Sequence, residues 1–277
     1  MESGLYVVAT PIGNLGDMSP RAVEVLKAAD LIAAEDTRHS LRLLQHFGIT
    51  TKVSAYHDHS SGHTLERIGR SLSEGGVVAL VSDAGTPLIS DPGYRLVRYA
   101  HENDYPVRAI PGPCAAIAAL SVSGLATDRF LFEGFLPAKE GARKNRLASL
   151  EGESATLIFY EAPHRILDCL ASLVSVFGGE REAMLAREIS KTFETIRHAT
   201  LEQLQGFVDA DTNQQRGEIV LVVAGKKSVE GKLDEPTANL LRRLARELPA
   251  KRAAAVVADC TGLRKNALYQ FLLDEKE

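Results

Sequence analysis

The chain has 277 residues, of which 45% are apolar, and its 32 basic and 36 acidic residues give a formal charge of −4. This composition excludes disordered and collagen-like chains, and at about 100–200 residues per domain the length predicts about two domains. The longest mainly apolar stretch, residues 114–126, contains two Ser and a Gly. It is shorter than the roughly 18–20 residues that a membrane span needs. Because the N-terminus also lacks a signal-peptide pattern, we expect a cytoplasmic protein with no membrane segment.

The number and spacing of the cysteines argue against a disulfide-stabilised or zinc-binding scaffold. Cys114, Cys169 and Cys260 are odd in number, far apart and in no C-x-x-C pair. This pattern predicts neither a disulfide framework nor a zinc site. We expect all three to be small buried hydrophobes.

Short apolar runs rich in Val, Ile and Leu recur along the chain and predict strands. They lie at residues 5–10, 31–34, 77–81, 107–110, 130–135, 156–160, 183–186 and 219–224. Segments with helical periodicity separate many of them, which indicates an α/β fold with a largely parallel sheet. The strands are apolar throughout rather than alternating, so both faces of the sheet should be covered.

The first strand leads into a turn with two glycines, residues 10–17, and a helix should begin at Ser19-Pro20. A glycine turn between a strand and a helix brings backbone close to a ligand. Glu35 and Asp36 follow about 20 residues later, as in a dinucleotide site. However, Pro11 stands where the first glycine of that fingerprint belongs. A nicotinamide or flavin site and a plain structural turn remain alternatives at this point.

Two further loops follow predicted strands. Residues 82–93 combine two carboxylates, two glycines and two prolines in a stiff polar loop. Residues 110–116 are small and precede a helix N-terminus, which leaves room for a flat ring or an anionic group. Three such turns at strand ends predict one shared cleft, the alternative being three unrelated tight turns. A phosphate P-loop pattern is absent.

The composition of residues 121–127 and of the C-terminal region predicts the domain organisation. Small and polar residues at 121–127 mark a boundary between two α/β domains, residues 1–120 and 121–228. Residues 229–277 show only helical pattern, with seven basic and two acidic residues between positions 236 and 273. Two predicted helices joined by a short turn containing Gly262 resemble a helix-turn-helix. This excess of positive charge predicts an anionic partner, although a solvated helical tail is the alternative.

Six motifs, taken together, resemble those of the tetrapyrrole-methylase-like methyltransferases. They lie at residues 10–17, 34–38, 82–93, 110–113, 159–165 and 187–191. Within that family they are most similar to the branch that methylates ribosomal RNA of the small subunit. The resemblance spans about residues 5–225, and the helical tail resembles the C-terminal extension of the same branch.

This resemblance implies two α/β domains with S-adenosyl-L-methionine in the cleft between them, and a homodimer. It also implies 2′-O-methylation of a cytidine in the decoding centre of 16S rRNA, on the small ribosomal subunit. Carried over motif by motif, the cofactor contacts fall on Ile12, Asp83, Gly85, Thr86, Cys114, Ala115, Tyr160, Glu161 and Ala186. The loop after Asp83 is longer than the G-D-P turn of the tetrapyrrole enzymes.

The chemistry of methyl transfer narrows the choice of catalytic residues. Displacement at a sulfonium is mainly a matter of positioning, but a ribose hydroxyl is a weak nucleophile and gains from a nearby base. Asp36 is the first choice, because it follows a strand end and Arg38 is placed to bind phosphate or to orient the acid. The alternative role for Asp36 is a capping or salt-bridging acid. The other available groups are Glu35, Asp83, Asp91, Glu161, His57, His59 and His164.

Basic residues are the expected RNA contacts. One run, residues 139–146, places four of them beside the cleft, and the tail supplies four more. The predicted contacts are Arg38, Lys139, Arg143, Lys144, Arg146, Lys251, Arg252, Arg264 and Lys265. A plain solvated helix start is the alternative for the 139–146 run. His57, His59 and His63 have metal-ligand spacing, but the chemistry needs no metal, so we expect none and interpret them as a solvent loop or an RNA contact.

Two other hypotheses compete with an RNA methyltransferase. A small-molecule tetrapyrrole methylase would not require the basic run or the basic tail. A non-catalytic RNA-binding or assembly factor would leave the polar loops unused.

Overall fold

The computed structural model describes residues 1–57, 62–226, 233 and 235–275, without the side chains of residues 62 and 63. The chain forms two compact units, Met1–Lys226 and Lys227–Glu277. In the described part of the chain, no helix is both long and apolar enough to cross a membrane. The predicted α/β architecture and the helical C-terminal segment are confirmed.

The first sheet of the larger unit is entirely parallel. Its strand order is β3-β2-β4-β1-β5. The strands are β1 (Gly4–Val8), β2 (Leu31–Ala34), β3 (Val53–Ala55), β4 (Val77–Val81) and β5 (Val107–Ile110). The carboxyl ends of β4, β1 and β5 are therefore neighbours, and each is followed by one of the three predicted turns.

Helices cover both faces of this first sheet. They are α1 (Pro20–Ala28), α2 (Thr37–His46), α3 (Gly62–Ser73) and α4 (Tyr94–Glu102). Successive residues of β4 alternate between two hydrophobic clusters, one with α1 and α2 and the other with α3 and α4. This double burial is why the strands are apolar throughout, as parallel strands generally are.

The second sheet is mixed, which corrects the expectation of a largely parallel arrangement. Its order is β6-β7-β10-β8-β9, and only β6 and β7 pair in parallel. The strands are β6 (Phe130–Phe135), β7 (Thr156–Glu161), β8 (Glu182–Arg187), β9 (Thr195–Thr200) and β10 (Ile219–Val223). β9 was not predicted because it lies at the sheet edge, most of its residues are polar and none of them is buried. β3 was not predicted because it has only three residues.

One face of the second sheet packs on three helices. The other face packs on the helix that follows β5, the last strand of the first sheet in chain order. The three are α6 (Glu140–Leu150), α7 (Ile166–Phe177) and α8 (Leu201–Ala210). The opposite face buries α5 (Ala115–Val122), which begins at the turn after β5. The predicted boundary between residues 120 and 121 thus lies inside α5. Short 3-10 helices lie at η1 (Leu15–Asp17), η2 (Pro163–Arg165) and η3 (Thr212–Gln215).

The smaller unit is a three-helix cluster. Its helices are α9 (Glu235–Glu247), α10 (Ala250–Thr261) and α11 (Lys265–Asp274), and they share one apolar core. α10 is capped at its C-terminus by Gly262, whose φ of 74° is the left-handed conformation that favours glycine at a helix end. The two helices and the turn predicted from the sequence lie where α10 and α11 are found.

The cysteines differ from one another. Cys169 is buried and Cys114 is half-buried, but Cys260 is exposed. The expectation of three buried cysteines is therefore wrong for Cys260, which lies near the end of α10 outside the core of the smaller unit.

Candidate active site

The three turns that follow β1, β4 and β5 meet at Gly85. Thr10 and Gly85 exchange two backbone hydrogen bonds, of 2.8 and 3.0 Å. The Thr86 hydroxyl donates to the carbonyl of Pro113 at 2.9 Å. Gly85 has a φ of 79°, and a Cβ added there would lie 3.4 Å from the Ile12 side chain. The turns thus form one connected rim at the carboxyl edge of the parallel sheet, where open α/β sheets bind ligands.

The second sheet reaches this rim through Tyr160 at the end of β7. The Tyr160 hydroxyl accepts a hydrogen bond of 3.1 Å from the backbone amide of Ala116 in the first turn of α5. Burial and the neighbouring Cys114 raise the pKa of Tyr160, so the phenol is neutral. The half-buried Cys114 and Ala115 and the buried Ala186 belong to the same apolar cluster as Tyr160. These residues form an apolar wall next to the polar rim.

A second contact joins the two sheets through the loop after β8. The Ser190 hydroxyl hydrogen-bonds the carboxylate of Asp17. The Lys191 side chain passes over Gly13, where an added Cβ would clash with the Lys191 carbons. Lys191 Nζ is held by Glu188 at 2.9 Å and Glu218 at 3.0 Å. Burial alone would lower the pKa of Lys191, but its hydrogen bonds to these two carboxylates outweigh burial and raise that pKa.

Carboxylates gather where β2 and β4 end side by side. The backbone amide of Asp36 donates to Asp83 Oδ1 at 3.1 Å. Burial, followed by the charges of Asp83 and Asp91, raises the pKa of Glu35. Burial and the charge of Asp83 also raise the pKa of Asp91. The strand ends are locked together, and Glu35 and Asp91 hold their protons more tightly than ordinary carboxylates do.

Asp36 itself acts as the N-cap of α2. Its carboxylate accepts from the backbone amide of Arg38 at 2.8 Å and from the Arg38 guanidinium at 3.1 Å. These hydrogen bonds from Arg38 lower the pKa of Asp36. A carboxylate with a lowered pKa is a weaker base. The geometry therefore matches the capping and salt-bridging alternative and weighs against Asp36 as the proton acceptor. The Arg38 side chain that Asp36 holds is 90% exposed.

Glu161 lies at the end of β7, but its carboxylate does not face solvent. The side chain is fully buried, and it pairs with the Arg165 guanidinium at 3.2 Å. It also accepts from the backbone amide of Ala162 at 2.8 Å. Arg165 in turn donates to the carbonyl of Leu136 at 2.6 Å, which fixes the ends of β6 and β7 relative to each other. Only the backbone of Glu161 is left for a ligand.

The basic run at residues 139–146 separates into two kinds of side chain. Lys139 is exposed, Lys144 pairs with Glu140 at 2.7 Å, and Arg146 pairs with Glu133 at 2.6 Å. Arg143 is only 3% exposed. Its guanidinium donates to the Ser172 hydroxyl and to the carbonyls at positions 138 and 168. The expectation that Arg143 contacts RNA is therefore wrong, because its guanidinium is buried and donates its hydrogen bonds inside the protein.

The four predicted contacts of the tail are all exposed within the smaller unit. Among the residues described there, Lys251, Arg252, Arg264 and Lys265 have no ion pair. Arg242, by contrast, pairs with Glu235 at 3.0 Å and Glu275 at 2.6 Å.

The described residues contain no group of three side chains that could hold a metal ion. Of the histidines with metal-ligand spacing, His57 is described, whereas His59 and the side chain of His63 lie outside the described residues.

Sequence reasoning did not assign a role to two parts of this site. Lys191 and Ser190 belong to a recognised motif, but only the fold brings them to Gly13 and Asp17. Glu35 was one candidate among several, and its burial next to Asp83 distinguishes it from Asp36.

Comparisons with known proteins agree with this architecture. The family model of tetrapyrrole (corrin/porphyrin) methylases matches residues 4–205, and a model described as the RsmI C-terminal HTH domain matches residues 232–276. Solved structures with the same fold include the methyltransferase CobJ (TM-score 0.59, 18% identity, 82% of this chain and 97% of that one). The uroporphyrin-III-C-methyltransferase from Thermus thermophilus is another (TM-score 0.55, 20% identity, 79% of this chain and 93% of that one).

Much closer relatives cover nearly the whole chain. A protein of Pseudomonas aeruginosa named ribosomal RNA small subunit methyltransferase I is 56% identical over 98% of this chain and 97% of its own length. Its namesake in Escherichia coli O157:H7 is 52% identical over 98% of this chain and 95% of its own length. With these turns, this pair of sheets and this C-terminal unit, the chain belongs to the tetrapyrrole methylase family and, within it, to the branch of ribosomal RNA small subunit methyltransferase I.

Proposed function

We propose that the protein transfers a methyl group from S-adenosyl-L-methionine to the ribose 2′-hydroxyl of a cytidine in the decoding centre of 16S rRNA. The observation that carries this proposal is the polar rim at Gly85, where three strand-end turns join one another beside the apolar wall of Tyr160. Sheet edges of this kind bind small ligands, and the family is one of methyltransferases.

The residues at the rim fit this cofactor chemically. S-Adenosylmethionine carries a sulfonium and an ammonium group, which the half-buried Asp83 and Asp91 complement in charge. Its adenine is flat and apolar-faced, and Cys114, Ala115 and Ile12 offer small or apolar surface. We assign its contacts to the nine residues implied by the resemblance, with Glu161 contributing through its backbone. The cofactor supplies a methyl group on a good neutral leaving group.

For the proton of the ribose hydroxyl, we assign Glu35 rather than Asp36 as the acceptor. An efficient base has a pKa near the working pH. The pKa of Glu35 is raised toward that range, whereas that of Asp36 is lowered. Glu35 lies next to Asp83 and so close to the expected cofactor. Asp36 instead orients Arg38, whose exposed guanidinium is suited to a phosphate of the RNA backbone.

The substrate is proposed to be the small ribosomal subunit or its 16S rRNA, in the cytoplasm. Phosphate contacts are assigned to Arg38, to the cations of the α6 run other than Arg143, and to Lys251, Arg252, Arg264 and Lys265 in the tail. Lys139 and the four tail cations are exposed and have no ion pair among the described residues, so they can bind phosphates without first breaking one. Arg38, Lys144 and Arg146 would exchange an acidic partner for phosphate. We also infer a homodimer from family membership, and no metal.

The experiment that tests the proposal combines calorimetry with a transfer assay. The protein is titrated with S-adenosylmethionine, then incubated with the labelled cofactor and small subunits from cells that lack this activity. We expect saturable cofactor binding and label in 16S rRNA. Heat of binding without label in RNA would instead favour a small-molecule methylase, and no heat at all would favour a binding factor.

A further inference from the structure

Strand β6 contains a bulge next to the candidate site. Phe132 pairs with Ile158, but the next pairs are Gly134 with Phe159 and Phe135 with Tyr160, so Glu133 is an extra residue. Side chains of a strand alternate between faces. The extra residue therefore returns Phe135 to the face of Tyr160. In a regular strand, Phe135 would point to the opposite face, into the core formed with α6, α7 and α8.

The backbone at the bulge has a conformation that favours glycine. Gly134 has a φ of 63°, and a Cβ there would lie 2.9 Å from the Ser90 hydroxyl in the turn after β4. Ser90 itself has a φ of 65°, which is uncommon for a residue other than glycine. Bulges and left-handed residues of this kind recur beside active sites, where they re-aim a side chain. Here the side chain that is re-aimed is Phe135.

The Phe135 ring is held on one side and open on the other. Its centroid lies 5.8 Å from that of Tyr160, with the ring planes at 67°. Tyr160 is fixed in turn by its hydrogen bond to Ala116. Phe135 is nevertheless 55% exposed. A large aromatic side chain that the fold directs into solvent at a site mouth is suited to a flat partner.

Two exposed cations near the bulge indicate what that partner is. Arg146 pairs with Glu133, the bulged residue itself, and its side chain remains 48% exposed. Lys139 follows shortly after Phe135 and is exposed at the start of α6. An exposed aromatic ring with exposed cations at the same end of a strand is a combination with which proteins bind unstacked bases of single-stranded RNA.

We propose that Phe135 is the platform on which a base of the substrate RNA stacks, so that its ribose is presented at the rim formed by the three turns. This inference rests on the proposed function. It assigns Phe135 a positioning role in RNA binding, and it leaves cofactor binding to the residues already named.

The test uses the full chain with Phe135→Ala, Phe135→Leu and Phe135→Tyr. Phe130→Ala, an exposed phenylalanine at the other end of β6, is the matched control. For transfer to unmethylated small subunits, we expect Phe135→Ala to lower kcat/KM about 5- to 150-fold, the loss typical of one base–aromatic stack. Phe135→Tyr and the control should stay close to wild type, and Phe135→Leu should fall between. Affinity for S-adenosylmethionine should not change in any variant.

Three results would overturn the stacking role. They are a wild-type kcat/KM in Phe135→Ala, a wild-type kcat/KM in Phe135→Leu, and a parallel loss of cofactor affinity, which would make the ring part of the cofactor wall.

A second readout keeps this inference separate from the proposed function. A cytosine-rich RNA oligonucleotide carrying the fluorescent base pyrrolocytosine is titrated with each variant. We expect wild type and Phe135→Tyr to quench the emission by stacking, and Phe135→Ala not to do so. Quenching without methyl transfer would leave the stacking role intact and remove the proposed function. Equal quenching by Phe135→Ala and wild type would remove the stacking role alone.

Discussion

The candidate active site and the tail hold their charged groups in opposite ways. At the site, the Asp83 carboxylate accepts a hydrogen bond from the Asp36 backbone amide, and its charge helps to raise the pKa of the neighbouring Glu35. In the tail, Arg264 and Lys265 are exposed and have no ion pair among the described residues of that unit. Fixed, half-buried groups suit a small ligand and its chemistry, whereas free surface cations suit the phosphates of a large partner.

The candidate active site and the tail should also differ in how they respond to salt concentration. At about 0.1 M salt, charges are screened beyond roughly 10 Å of solvent, so contacts of the tail with RNA should weaken steeply as salt rises. The hydrogen bonds at the rim are short and half-buried, and they are screened much less. Changes at the site should therefore reduce turnover at any salt concentration, and changes in the tail should alter the salt dependence of RNA binding.

The largest effect is expected from Asp83→Ala. This change removes both the lock between β2 and β4 and a charge that complements the cofactor, so methylation should fall below detection. Affinity for S-adenosylmethionine should fall at least about tenfold, as for the removal of a hydrogen bond to a charged group. Calorimetry measures the affinity, and circular dichroism checks the fold. Asp128→Ala, an exposed acid before β6, is the control. Wild-type affinity in a folded Asp83→Ala protein would contradict this prediction.

The next largest effect is a loss of kcat, which should differ between Glu35 and its neighbour Asp36. Glu35→Gln removes the proposed base and should lower kcat about 10²- to 10⁴-fold at saturating RNA, with little change in cofactor affinity. Asp36→Asn should lower kcat much less, because the Asp36 carboxylate accepts hydrogen bonds from Arg38 and is not the proposed base.

The pH profile of kcat provides the check on that pair. Burial, Asp83, Asp91 and Asp36 hold the pKa of Glu35 above its usual range, so kcat should fall as the pH drops through that raised pKa. This fall should be absent in Glu35→Gln. If Asp36→Asn proves the more damaging change, the assignment of the two acids is reversed.

A smaller effect is expected in the tail. The double variant Arg264→Ala and Lys265→Ala should leave cofactor affinity unchanged and weaken binding to small subunits. The slope of log K against log salt should fall by about one unit for each RNA phosphate that the variant no longer neutralises. The exchange Arg264→Lys with Lys265→Arg keeps both charges and should keep the slope. Equal slopes in the alanine variant and wild type would mean that this end of α11 has a structural role only.

The smallest effect concerns stability. Because folding raises the pKa of Glu35, its ionised form costs stability at neutral pH, and this cost disappears below the unfolded pKa, where both states are protonated. Glu35→Gln should therefore raise the thermal midpoint at neutral pH, and the gain should vanish near pH 4. Thermal melts of both proteins across that range test this, and a lowered midpoint at pH 7 would argue against the raised pKa.

Features of the fold and the site that depend on neighbouring residues in the sequence could be predicted, whereas most features that depend on contacts between distant residues could not. The meeting of the three turns was predictable, because carboxyl ends of parallel strands share one edge of a sheet. The choice between Glu35 and Asp36 was not, since it depends on burial beside Asp83. The burial of Arg143 did have a signal, because it shares one helical face with Leu147 and Leu150, four and seven residues later. The bulge that re-aims Phe135 depends on pairing with a strand some 25 residues away.

The most direct test of the central claim is mass mapping of ribose methylation on 16S rRNA. Small subunits from cells that lack this protein are treated with S-adenosylmethionine and either the wild-type protein or Asp83→Ala. The proposed function predicts one new 2′-O-methylated cytidine in the decoding centre with the wild-type protein and none with Asp83→Ala. Methylation on a base, at another site, or not at all with the wild-type protein would contradict it.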